Sequence, residues 1–310
     1  MLLQIISFGA NLGFIGNQHP QSCKNLKLAV EHNAFIGSSI EVLTSSGHAA
    51  GPFQSPPLLN FCCSPLGAVG RKWNPNKLHV INHLSWPHNS SVNDGIPNSK
   101  AQISYDMFEC AIHDLVSSGR GSLMAKLDLK DAFHHIPVRA ADWHLLSFHW
   151  GSKFFYLLVL AFGFKNTPYI FNLFAEALHW IIQWHIPAAL HHYLDNFLLI
   201  FPSHMQCSLA NAAVEWVMGL GKELGLIFQD SKTVWPCTCL EFLVLGLIQL
   251  RWKHIFLLIS SFFYKIFSIL GQQSELVPSL NCKNCWASCN LHLRSSLALT
   301  LSFTIFSIFQ

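Results

Sequence analysis

Two aspartates stand where they could hold a hard divalent cation. Asp128 lies in Lys126-Leu127-Asp128-Leu129-Lys130-Asp131-Ala132-Phe133, and Asp195 in His191-His192-Tyr193-Leu194-Asp195-Asn196, between apolar flanks. Mg²⁺ (or Mn²⁺) prefers oxygen ligands, usually one or two carboxylates completed by substrate phosphates and water. Carboxylates from separate strands that meet in space would suit two-metal phosphoryl chemistry, in which the cations stabilise both the attacking and the leaving oxygen. Each acid alone also fits an ordinary role, since Asp is common in turns and local caps. Their order along the chain, and the residues around them, favour the metal-binding role.

Such a site needs specific elements beneath it. A strand is predicted over 125–129, ending near Asp128. Thr167 as N-cap and Pro168 at the first helical position open a helix. Along it Ile170, Phe171, Phe174, Ala177, Leu178, Ile181 and Ile182 recur at helical spacing. Residues 190–201 read as two short apolar strands around a turn at Asp195-Asn196. A helix over about 209–224 follows, with Ala213, Trp216, Val217, Leu220 and Leu224 on one face, then a strand over 225–228. Upstream, 77–81 reads as a strand in a basic, turn-rich segment. This succession of strands and helices predicts an α+β fold.

Three further segments fall in a matching order, and the whole resembles a reverse transcriptase, fingers plus palm, with an antiparallel palm sheet packed on helices. Asp128-Leu129-Lys130-Asp131-Ala132-Phe133 resembles the family's motif A, and Tyr193-Leu194-Asp195-Asn196 its motif C. Leu160-Ala161-Phe162-Gly163-Phe164-Lys165-Asn166-Thr167-Pro168 is similar to motif B. Gly225-Leu226-Ile227-Phe228-Gln229-Asp230-Ser231-Lys232 and Cys239-Leu240-Glu241-Phe242-Leu243-Val244 resemble motifs D and E. The resemblance implies that Asp128 and Asp195 bind Mg²⁺ or Mn²⁺, with Asn196 beside them. It implies that Asp131 and Ala132 meet the triphosphate of a dNTP through their backbone N–H groups, and that Phe133 is the steric gate against a ribose 2′-hydroxyl. Phe162 and Gly163 would lie against nucleotide or template, Tyr193 against the primer terminus, Lys72 and Lys77 towards the triphosphate. Lys232 would protonate the departing pyrophosphate. The partners implied are dNTPs and a primer on an RNA or DNA template. Gly47-His48-Ala49-Ala50-Gly51-Pro52-Phe53 and Asp142-Trp143-His144-Leu145-Leu146-Ser147-Phe148-His149-Trp150 are similar to the tyrosine-recombinase (DIRS-like) type of retroelement. On this reading 1–60 is an N-terminal extension, 61–120 a fingers-like segment, 121–250 the palm and 251–310 an apolar tail, degenerate or disordered.

The chain departs from the family's pattern at four places. Asn196 replaces an acid, Ala161 a Pro, His79 an Arg and Val244 a Gly. Asn196 keeps an oxygen but removes a negative charge, so the expectation is reduced or lost activity in a degenerate copy. Two other readings follow from the same residues: a non-catalytic nucleic-acid-binding remnant, and a poorly folded or membrane-adherent translation product. The composition is 51% hydrophobic and 11% charged, with a net charge of +3. Soluble domains usually carry roughly 25% charged residues, and +3 alone does not announce a nucleic-acid binder. Ten scattered Cys without repeated spacing predict reduced thiols and an intracellular place, cytoplasm or nucleus. The start has no basic region before its apolar run, so no signal peptide is expected. Residues 255–270 and 296–309 are apolar but each falls short of the roughly 18–20 residues of a spanning helix, so membrane contact is not expected. Cys282, Cys285, Cys289 and His292 have loose zinc-like spacing. Trp143, Trp150 and Trp180 read as core aromatics, and the His pairs 134–135 and 191–192 as packing or groove-lining residues.

Overall fold

The run that ends at Asp128 forms a strand, Met124–Asp128 (β6), in which every residue but Lys126 is buried. With Ala189–Tyr193 (β9), Asn196–Ile200 (β10) and Val234–Cys237 (β11) it makes a four-stranded sheet of order β11-β6-β10-β9. β11 runs antiparallel to β6. Phe197, Leu198, Leu199 and Ile200 are fully buried, which is why this strand reads as a continuous apolar run rather than an alternation. The hairpin turn is Leu194-Asp195, one residue earlier than predicted, and Asn196 already belongs to β10. Leu194 takes φ +52°, a region that leucine rarely adopts.

The computed structural model describes residues 1–16, 19–71, 74–103, 108–242, 245–249 and 255–259. The helix predicted after Gly163 is Thr167–His185 (α5). Asn166, not Thr167, occupies its N-cap, and Pro168 lies in its first turn. The Thr167 hydroxyl donates instead to the Ala161 carbonyl at 2.9 Å. Ile170, Phe171, Leu178 and Ile182 are buried as expected, joined by Ala175. The next helix is Cys207–Glu223 (α6). Its buried row is Ala210, Val214, Val217 and Gly221; of the predicted face Val217 belongs to it, while Ala213 and Leu220 are half-buried and Trp216 and Leu224 exposed. In a chain half apolar, more than one stripe satisfies a 3.6-residue period. The exposed Trp216 stacks on His185 at 5.1 Å. Residues 225–228 do not form the predicted strand. A single bridge joins Phe228 to Leu129 before the chain turns at Asp230–Lys232.

Gln21–Ser22 (β1), Ala49–Phe53 (β2), Cys62–Cys63 (β3), Ser147–Trp150 (β7) and Lys153–Leu157 (β8) form a sheet of order β1-β3-β7-β8-β2. Leu66–Arg71 (β4) and Asn74–Asn82 (β5) make an antiparallel hairpin that contains the predicted strand 77–81. Cys239–Phe242 (β12), Leu245–Gln249 (β13) and Ile255–Ile259 (β14) form an antiparallel meander. Helices Leu2–Phe8 (α1), Lys27–Glu31 (α2), Asn33–Ser45 (α3) and Phe108–Ser117 (α4) complete the set among the described residues.

The chain divides into two compact units. One comprises Met1–Phe108, Leu127–Phe197 and Glu215–Thr233, the other Glu109–Lys126, Leu198–Val214 and the chain from Val234. In the first, the buried Asp142 carboxylate accepts the Leu12 N–H at 2.8 Å and a two-pronged bond from Arg139 at 2.8 and 2.9 Å. Through these bonds Asp142 fastens the first residues of the chain to the 139–146 segment. Trp143 is a packing residue as expected, its indole N–H donating to Val138 at 2.7 Å and its ring stacked on Tyr156 at 5.6 Å. Trp180 is not: it is 64% exposed and meets the equally exposed Trp184 edge to face at 6.0 Å.

Among the described residues no cysteine is in a disulfide, and no helix is long and apolar enough to cross a membrane. Ile255–Ile259 at the start of the apolar tail is strand. Cys282, Cys285, Cys289, His292 and Val244 lie outside the described residues.

Candidate active site

Asp128 ends β6, and Asp195 closes the turn between β9 and β10. Two backbone hydrogen bonds tie their surroundings together. Leu129 N–H donates to the Asp195 carbonyl at 2.8 Å, and Gln229 N–H donates to the Asp128 carbonyl at 2.8 Å. The second bond fastens the 230–232 turn to the end of β6 and delivers Lys232, whose Nζ stands 2.6 Å from Asp128 Oδ1. The Asp128 side chain is only 10% exposed and that of Lys232 44%. Asn196 Nδ2 donates to Asp195 Oδ1 at 3.0 Å. Asp128, Asp195, Asn196 and Lys232, read from three motifs, are therefore brought together.

The electrostatics fit a cation. Burial pushes the Asp195 carboxyl above its usual range, and the neighbouring Asp128 carboxylate pushes it the same way. Lys232 and the Asn196 amide pull it back only in part. Two crowded carboxylates offering hard oxygens are the donor set that Mg²⁺ or Mn²⁺ takes. Among the described residues no group of three or more His, Cys, Asp or Glu could hold a metal. Asn196, beside Asp195, offers an amide rather than a carboxylate.

Asp131 and Ala132 form the turn after β6. Asp131 is exposed with φ +46°, Ala132 is buried, and His134 N–H closes the turn onto the Asp131 carbonyl at 2.8 Å. A non-glycine residue held in the left-handed region is a feature that clusters at functional sites. Phe133 is half-buried and contacts Phe162 at 4.8 Å and Phe171 at 5.7 Å, ring centre to ring centre. Phe162 itself is half exposed. The two predicted aromatics of motifs A and B thus form one wall. His79 on β5 borders a cavity of about 360 Å³ together with Asp131, His134 and Phe162. Burial, with His48 beside it, pushes His134 down to about 4. Tyr193 is partly exposed at the end of β9. Lys77 lies on β5, while Lys72 lies outside the described residues.

The Gly163 loop is held by the Asn93 side chain, which motif reading gives no role. Asn93 Nδ2 donates to the Gly163 carbonyl at 2.8 Å, and Asn93 Oδ1 accepts the Lys165 N–H at 2.9 Å. Gly163 has φ +94°, and a Cβ there would collide with the Asn82 carbonyl oxygen. Only glycine meets both demands. Gly163→Ala is expected to cost about 1–3 kcal/mol of stability and to displace the loop. Urea denaturation read by fluorescence checks this, and an unchanged midpoint would refute it.

The His191-His192 pair packs rather than lining an open groove. Both are buried. The His192 ring stacks on Phe197 at 5.4 Å, its Nδ1 lies 2.9 Å from His179 Nδ1 on α5, and its Nε2 lies 3.8 Å from Glu176. These contacts brace the strand behind the Asp195 turn. No sequence spacing announces them, because His179 and His192 belong to different elements.

Several known proteins are similar to this chain. Protein P of duck hepatitis B virus (strain China) is 28% identical over 138 residues, which are 42% of this chain and 17% of that protein. Protein P of heron hepatitis B virus is 28% identical over 119 residues, 38% of this chain and 15% of that one. The chain therefore spans less than a fifth of the length of these curated relatives. Among solved structures, the foamy viral protease-reverse transcriptase in complex with dsDNA matches 86% of this chain and 48% of its own, with TM-score 0.60 and 20% identity. The same viral protein in complex with an RNA/DNA hybrid matches 76% of this chain and 29% of its own, with TM-score 0.57 and 18% identity. The likeness is one of fold, and the expected α+β polymerase fold is the one observed. The family model described as Reverse transcriptase (RNA-dependent DNA polymerase) matches residues 76–249. Since that match takes in more than half of the chain, including both aspartates and the lysine that meets the first, the chain belongs to the reverse transcriptase family.

Proposed function

We propose that this chain adds dNTPs to the 3′-hydroxyl of a primer paired with an RNA or DNA template, at a rate lowered by Asn196. The observation that carries this reading is the meeting of Asp128 and Asp195, in motif order, beside Lys232 and the Phe133–Phe162 wall. Asp128 and Asp195 would hold Mg²⁺ or Mn²⁺, which when bound activates the primer hydroxyl and neutralises charge on the leaving pyrophosphate. The backbone N–H groups of Asp131 and Ala132 would cradle the triphosphate, with Lys72 and Lys77 of the fingers segment 61–120 on its other side. Phe133 would exclude a ribose 2′-hydroxyl, Phe162 and Gly163 would seat the nucleotide against its template, and Tyr193 would orient the primer end. Lys232 would give its proton to the pyrophosphate. Segment 121–250 serves as the palm. The origin we infer is an intracellular retroelement of the tyrosine-recombinase type, in a degenerate copy. The solved relatives bound to dsDNA and to an RNA/DNA hybrid support a nucleic-acid partner.

The test is incorporation of labelled dTTP by the full chain on primed poly(rA), with Mg²⁺ and with Mn²⁺. Template-dependent extension is the expected result. No extension by the chain as written or by Asn196→Asp, with the primer-template still bound, would replace this reading by that of a non-catalytic binding remnant.

A further inference from the structure

Lys232 is tethered for a second task. Gln229 accepts both the Lys232 N–H at 3.0 Å and the Thr233 N–H at 3.1 Å, while its own N–H holds the end of β6. The lysine stem therefore starts from a fixed point, and its ammonium meets a carboxylate that is nine-tenths buried. An exposed ion pair would contribute little, but here one partner is largely out of water, where charges act on one another more strongly. With Asn196 uncharged, the charges at the site are those of Asp128, Asp195 and Lys232, a net of one negative.

We propose that Lys232 is the resident counter-ion of the metal site: its ammonium occupies Asp128 Oδ1 and must leave before a divalent cation can take that oxygen. Cation entry and release of the lysine are then one exchange, and the freed ammonium is the group available to the pyrophosphate. In this chain the exchange is costly, because Asn196 withholds the charge that would otherwise favour the divalent ion. The inference rests on the reading of Asp128 and Asp195 as metal ligands.

Mn²⁺ binding to the full chain, without nucleotide or nucleic acid, tests it through the paramagnetic resonance signal of free Mn²⁺. Lys232→Gln should bind Mn²⁺ about tenfold more tightly than the chain as written, as removal of a neighbouring like charge requires. Lys232→Arg, which keeps the charge, should show no gain. Asp128→Asn should abolish binding in every background. If binding needs Asp128 but Lys232→Gln leaves the affinity unchanged, the counter-ion role is overturned and the metal site stands. If no Asp128-dependent binding occurs in any variant, Asn196→Asp included, the metal reading falls and this inference with it.

Discussion

Asp128→Ala will abolish primer extension, with an expected loss of about 10³-fold or more, the several kcal/mol that a metal-holding carboxylate supplies to the barrier. The position is buried at the end of β6 and its oxygen faces Lys232 at 2.6 Å. Removing the carboxylate strips the site of one of its two acids and leaves an ammonium that repels a divalent cation. Because Lys232 is 44% exposed, its ammonium can turn to solvent, so the fold should survive. Single-turnover dNTP incorporation at saturating Mg²⁺, alongside a thermal melt, separates the two effects. A folded Asp128→Ala protein that extends primers at the original rate would remove Asp128 from the chemistry.

Asn196→Asp should act in the opposite direction, raising the rate by about 10²–10⁴, or roughly 3–5 kcal/mol of barrier. Asn196 already touches Asp195, donating from Nδ2 to Oδ1 at 3.0 Å. The substitution exchanges that donor for a third carboxylate oxygen donor of nearly the same shape. Two consequences follow from the local charge. Without cation, three crowded carboxylates repel, so the variant should be less stable in chelator than the chain as written. With Mg²⁺ present the repulsion becomes ligand charge, and stability should return together with activity. A variant that melts identically with and without Mg²⁺, and gains no activity, would show that position 196 does not face a metal.

Much of this site is legible from local sequence, for physical reasons. A buried central strand must be continuously apolar, so 197–201 announces itself. Pro168 tolerates only the first turn of a helix, which places the start of α5 to within a residue. A hairpin between two apolar runs must turn at its polar residues, which locates Asp195. Local chemistry does not distinguish Leu194-Asp195 from Asp195-Asn196 as the turn, because the choice is made by strand register, through the bond from Leu129 N–H to the Asp195 carbonyl. The α6 face is misplaced for a related reason. In so apolar a chain several stripes are hydrophobic, and only the neighbouring elements select Ala210, Val214 and Val217.

By itself, then, the sequence determined the α+β class and the main strands and helices between 124 and 223, which are written in short-range periodicity, while its motifs carried the resemblance to the family and named the residues that could do chemistry. Only the tertiary structure decided which of those residues meet. The Lys232–Asp128 pair joins positions 104 residues apart, Asn93 holds Gly163 from another segment, and His179 reaches His192 from α5. Trp180, apolar and aromatic, lies outside the core because α5 turns a different stripe inward. Contacts of this kind depend on how separate elements pack, and no residue's type or spacing along the chain encodes that distance.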